Sequence, residues 1–152
     1  MYDYTARLLD AHDGDTVKLC VDLGFTTRAL PKDRDFGFHL YLEAGHLRKH
    51  DTFRVLGIDA PELSTPRGKI ARAYALDWLA LNCAQDTHAG VSAYRLRIVT
   101  EKDSQEKYGR FLATVYGTKA GRGNESLAVD MVATGNALAW DGKGARPVQP
   151  TT

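Results

Sequence analysis

At 152 residues, with 43% hydrophobic and 26% charged residues, the chain has the size and composition of one globular domain able to bury a single core without staples. Its formal net charge of +1 excludes binding to nucleic acid through bulk positive charge, so any such affinity has to be local. Apolar runs stay well short of the roughly 20 residues that span a bilayer, and the two cysteines, Cys20 and Cys83, form neither a disulfide framework nor a zinc motif. Two reduced core thiols and no membrane are expected. Met1-Tyr2-Asp3-Tyr4 carries no leader signal, and an intracellular protein is the expectation.

In chain order, Tyr4 to Leu9 and Val17 to Leu23 read as short strands joined by the acidic turn Asp10 to Asp15, with Asp-Gly as the turn signal. In the segment from Thr26 to Asp51, Phe36, Phe38, Leu40 and Leu42 alternate with Gly37, His39 and Tyr41, so strands are expected to lengthen there into a ribbon arm. Its cations Arg28, Lys32, Arg34, Arg48 and Lys49 either reach phosphates of a polymeric substrate or stand on a ribbon that packs on the core. Phe53 to Leu63 is an apolar strand with Arg54 inside its run and two carboxylates, Asp59 and Glu62, at its end.

Further along, Ile70, Ala73, Tyr74, Trp78 and Leu81 recur at helical spacing, predicting a helix over 70–82 after a loop marked by Pro66 and Gly68. Tyr94 to Thr100 and Arg110 to Tyr116 read as two more strands with the polar link Glu101 to Lys107 between them, Arg95 and Arg97 being solvated hairpin charges. Asn124 or Ser126 can cap a second helix that runs to about Thr134, with Gly135 placed to end it. Residues 141–152 show no periodicity and read as a flexible tail. Five strands with a helix after the third and another after the fifth predict an α+β, mainly β domain over 1–140. The expected architecture is a five-stranded Greek-key barrel of the OB type with two to three helices, the arm at about 26–51 being inserted in it.

A charge inside an apolar strand points to chemistry. Arg54, Asp59 and Glu62 at one rim, Asp13-Gly14-Asp15-Thr16 upstream and Lys107-Tyr108-Gly109-Arg110 downstream supply two carboxylates for a hard cation, one for a base and two guanidiniums for a phosphate. That is the equipment of a phosphodiesterase. Taken singly, each motif has a plainer reading, since Asp-Gly-Asp and Asp-Ala-Pro-Glu both make turns.

Asp-Gly-Asp-Thr at 13–16, Arg-Val-Leu-Gly-Ile-Asp-Ala-Pro-Glu at 54–62 and Lys-Tyr-Gly-Arg at 107–110 resemble, in order, the signature blocks of the staphylococcal nuclease (thermonuclease) family. The Val21 to Phe25 run is similar to its phage and bacterial members, which suggests a phage-encoded protein in a host cytoplasm. The resemblance implies a calcium-dependent endonuclease, with Mg2+ or Mn2+ as alternatives, that hydrolyses DNA and RNA as a monomer and leaves 3′-phosphate ends. It implies calcium ligation by Asp15, Asp59 and the backbone carbonyl of Ala60, with Asp13 behind them. Glu62 is then the general base, Arg54 and Arg110 the arginines on the scissile phosphate, and Lys107 and Tyr108 neighbours of the bound nucleotide. Trp140 falls near nucleotide-lining tyrosines of the family, but a tryptophan closing the core is the preferred expectation. The departures are the long span from Asp15 to Arg54, the lack of a long third helix and Glu106 where an aspartate is usual. A catalytically silent binding module on the same barrel is the alternative, as in the tandem repeats of Tudor-nuclease proteins.

Overall fold

The computed structural model describes residues 2–25, 40–43, 45–83, 96–105, 111–117 and 126–150. In chain order the elements are β1 (Tyr2–Asp13), β2 (Thr16–Phe25), β3 (Leu40–Glu43), β4 (His46–Val55), β5 (Ile58–Asp59), α1 (Pro66–Cys83), β6 (Leu96–Gln105), β7 (Phe111–Tyr116), α2 (Leu127–Ala133) and β8 (Leu138–Ala139).

Strand β1 pairs antiparallel with β2 and with β6, β6 with β7, and β7 runs parallel to β4. The β2–β4 pairing closes the ring, so no long edge of these five strands is left open. The result is a closed, mixed, five-stranded barrel of the OB type with two helices among the described residues, as the sequence pattern predicts. Strand β3 adds to the outer side of β4, and β5 with β8 makes a separate two-stranded ribbon. Ala6, Val17, Leu19, Phe53, Val55, Leu96, Ile98 and Val115 fill the interior. Among the described residues no helix is long and apolar enough to cross a membrane.

The first strand is longer than the Tyr4 to Leu9 expected of it. Register shifts between Leu8 and Asp10 and between Ala11 and Asp13 let β1 absorb extra residues and continue to Asp13, so the acidic turn shrinks to Gly14 and Asp15. The buried face of α1 is also not the expected stripe. Ala71, Ala75 and Leu79 are buried, whereas Ile70 is 63% and Leu81 51% exposed. Small side chains let the helix lie close to the barrel, and Tyr74 and Trp78 pack at its flanks. Gly14 is part of the same close approach, because a Cβ there would stand 2.9 Å from both Ala60 Cβ and Met131 Cε.

Helix α2 begins where the sequence predicts, with Ser126 as N-cap accepting from the Val129 amide. It ends at Thr134, and Gly135 follows at φ 77°. Cys20 is buried and forms no disulfide among the described residues. Arg97 forms an exposed ion pair with Asp3, at 2.7 Å, in keeping with a solvated hairpin charge. In the inserted segment, residues 26–39 and with them Arg28, Lys32 and Arg34 lie outside the described residues. Strands β2 and β4 do run on together as far as the Phe25–His46 pair. Arg48, counted among the arm's phosphate-reaching cations, is instead buried and paired with Asp22 at 3.0 Å, and Lys49 pairs with Asp51 at 3.1 Å.

Candidate active site

The β1–β2 turn and the end of β4 are set side by side by pairing of Thr16 with Arg54, and the Val55 amide donates to the Asp15 carbonyl at 2.8 Å. This brings the Asp15 carboxylate and the Arg54 guanidinium together, Nη1 lying 3.0 Å from Oδ2. Asp15 Oδ2 also accepts from the Ala60 amide at 2.8 Å, and Oδ1 from the Thr16 hydroxyl at 3.2 Å. Asp13 Oδ1 accepts from the Asp15 amide at 3.1 Å, a bond that closes the turn beneath Asp15.

Arg54 extends toward the next strand. Its Nη2 lies 3.3 Å from the Ile58 carbonyl and 3.7 Å from Asp59 Oδ1, so one guanidinium spans two carboxylates that are 2% and 1% exposed. Burial, followed by the charge of Asp13 and a hydrogen bond to it, pushes the Asp15 carboxyl up to about 7, against the opposing pull of Arg54 and the Ala60 amide. A carboxylate buried to that degree favours a nearby positive charge.

Asp59 is fixed by the β5–β8 ribbon, in which it pairs with Leu138. Past Pro61 the chain turns, and Glu62 becomes the exposed member of the group, with 67% of its side chain accessible. Its backbone is nevertheless held. The Thr65 amide and hydroxyl both donate to the Glu62 carbonyl, at 3.0 and 2.7 Å, while the same hydroxyl accepts from Gly68 at the start of α1. Pro66 starts the helix with its φ already suited to it. A side chain at Gly68 would collide with the Glu62 carbonyl, so glycine there permits the close approach of loop and helix.

Of the residues singled out in the sequence, Asp15, Arg54, Asp59, Ala60 and Glu62 are therefore brought to one rim. Arg110, Lys107 and Tyr108 lie outside the described residues. Trp140 does not close the core as expected. It is partly exposed, its amide donates to the Gly57 carbonyl at 2.9 Å, and the Arg54 guanidinium lies 5.8 Å from its ring centroid.

Two residues of the site were absent from the sequence reading. Arg146 places Nη2 2.6 Å and Nε 2.9 Å from Asp59 Oδ1, and Nη1 3.4 Å from Glu62 Oε1. The Gln149 amide donates to both Oδ2 and the carbonyl of Asp59, each at 2.8 Å. Both belong to the segment read as a tail, where an arginine before a proline in an aperiodic stretch carries no distinguishing pattern.

Asp15 and Asp59 fit a hard divalent cation in donor chemistry, both being carboxylates beside a polar backbone. Among the described residues no cluster of three or more His, Cys, Asp or Glu surrounds one point, so such a cation would need backbone, solvent or substrate oxygens as well.

The fold and this rim together define an OB-type barrel, a fold of nucleic-acid-binding type, carrying a buried acid–guanidinium group at one end. The family model for staphylococcal nuclease homologues matches residues 52–149, and the chain belongs to that nuclease-type family. The match spans Arg54, Asp59, Glu62, Arg110 and Arg146 and begins after Asp15. No curated protein matches the chain.

Proposed function

We propose that the chain is a calcium-dependent endonuclease, monomeric and intracellular, that hydrolyses DNA and RNA and leaves 3′-phosphate ends. The observation that carries this reading is the Arg54 guanidinium set between the buried carboxylates of Asp15 and Asp59, with the exposed Glu62 three residues further on. Asp15, Asp59 and the Ala60 carbonyl would hold the cation, which when bound supplies positive charge to polarise the phosphate. Glu62 takes the proton of the attacking water, its exposure leaving room for that water at the rim. Arg54 and Arg110 donate to phosphate oxygens and offset charge that accumulates in the five-coordinate transition state, for which a permanently charged planar fork is suited. Lys107 and Tyr108 lie beside the nucleotide, an aromatic face stacking on any base with little sequence preference. Mg2+ or Mn2+ are the alternative cations, and the phage-type Val21 to Phe25 run supports a phage-encoded origin.

A silent binding module is the second reading, favoured by one observation: both carboxylate oxygens of Asp59 already accept from Arg146 and Gln149. Incubation with single-stranded DNA, duplex DNA and RNA, in calcium, magnesium, manganese or chelator, separates the two. Cleavage in calcium that stops in chelator is expected of the nuclease. Binding of these polymers without cleavage in any metal identifies the module.

A further inference from the structure

We propose that Arg146 and Gln149 are resident occupants of the candidate cation site, holding Asp59 until a divalent cation displaces the Arg146 guanidinium from its carboxylate. This rests on the proposed cation site at Asp15 and Asp59. The guanidinium takes Asp59 Oδ1 through two nitrogens while the Gln149 amide donates to Oδ2, so both lone-pair sites of Oδ1 are taken and a cation that binds this oxygen has to displace the guanidinium. A guanidinium and a divalent cation on the same oxygen repel each other, and they therefore compete for it.

The way the carboxyl-terminal segment is attached suits it to release. Trp140 anchors its start, since the indole donates to the Lys143 carbonyl at 3.1 Å and the Trp140 amide is bonded to Gly57. Beyond that anchor, residues 141–146 are exposed and Val148 is 92% exposed, so apolar burial contributes little to holding the strap. The contacts to Asp59 and Glu62 are polar, and the Arg146 side chain is itself 52% exposed. Letting go fully hydrates a guanidinium whose side chain is already half exposed, and among the described residues beyond Lys143 only Pro147 and Gln149 are partly buried. Displaced from Asp59, Arg146 stays tethered at the rim beside Glu62.

Calorimetric titration of calcium chloride into wild type, Arg146→Gln and Gln149→Ala, without nucleic acid, tests this directly. Losing a charge-assisted competitor is expected to lower the calcium Kd roughly tenfold in Arg146→Gln, with a smaller decrease in Gln149→Ala. Nitrogen-15 spectra of the wild type should show one arginine Nε–H resonance, absent from Arg146→Gln, that moves as calcium saturates the site. Calcium binding to wild type with an equal or higher Kd in Arg146→Gln overturns the strap alone. No calcium binding by any of the three proteins overturns the cation site itself, and the strap with it.

Discussion

The two halves of the rim are built differently. Asp15, in the tight turn between β1 and β2, and Arg54, near the end of β4, are almost fully enclosed, and backbone hydrogen bonds from Val55 and Ala60 hold Asp15 in place. Glu62 and Arg146 sit on a loop and a carboxyl-terminal segment and are 67% and 52% exposed. Asp59 joins the halves, buried at its own position but bonded to the exposed side. If the proposed function holds, preorganisation is concentrated where charge would be stabilised, and freedom is left where water and substrate would enter.

The enclosed half depends most on Arg54. Arg54→Ala leaves two buried carboxylates without their shared partner and should cost about 3–5 kcal/mol in urea unfolding, together with roughly 10²-fold to 10³-fold in turnover measured on single-stranded DNA. Retention of wild-type stability would show that the enclosed half is not held by this pair.

The pH dependence of stability sharpens the same contrast. Asp15 titrates near 3.8 as a free side chain and is raised to about 7 in the fold, so between those values the folded state holds a proton that the unfolded state has lost. With more protons on the native state, stability in chelator is expected to fall as pH rises from about 4 to about 7 and to level off above. Asp15→Asn should flatten that slope in thermal melts, and an unchanged slope would place its origin elsewhere.

A smaller effect is expected at Gly14, where the turn lies against Ala60 and α2. Gly14→Ala forces a methyl to 2.9 Å from Ala60 Cβ and Met131 Cε and should destabilise by about 1–3 kcal/mol, read from the urea midpoint. An unaltered midpoint would mean that the turn relaxes without moving its neighbours.

The enclosed half was the more legible in sequence. Asp-Gly-Asp-Thr and the apolar run holding Arg54 and Asp59 are local patterns, and barrel closure follows from strands that must hide their edges. Ser126 and Gly135 marked the second helix because caps are local chemistry. What could not be read depends on contacts distant in sequence. Arg146 meets Asp59 across 87 positions, and neither composition nor periodicity encodes that meeting. Trp140 looked like core because tryptophans are mostly buried, yet its position is set by a bond to Gly57. The helix stripe misled because Ile70 and Leu81 outweigh alanines in hydrophobicity, while the face beside the barrel is filled by Ala71, Ala75 and Leu79. Strand β1 ran past its expected end through bulges, which no alternation reveals.

The catalytic role of this rim is tested most directly by single-turnover cleavage of an end-labelled DNA oligonucleotide by wild type and Glu62→Gln, in saturating calcium. The side chain is exposed, so Glu62→Gln should leave the unfolding midpoint within about 0.5 kcal/mol of wild type. Cleavage by wild type to 3′-phosphate ends, with a rate lower by roughly 10²-fold or more in Glu62→Gln at similar DNA affinity, is the predicted result. Equal single-turnover rates for the two proteins would contradict the assignment of this rim as the catalytic centre.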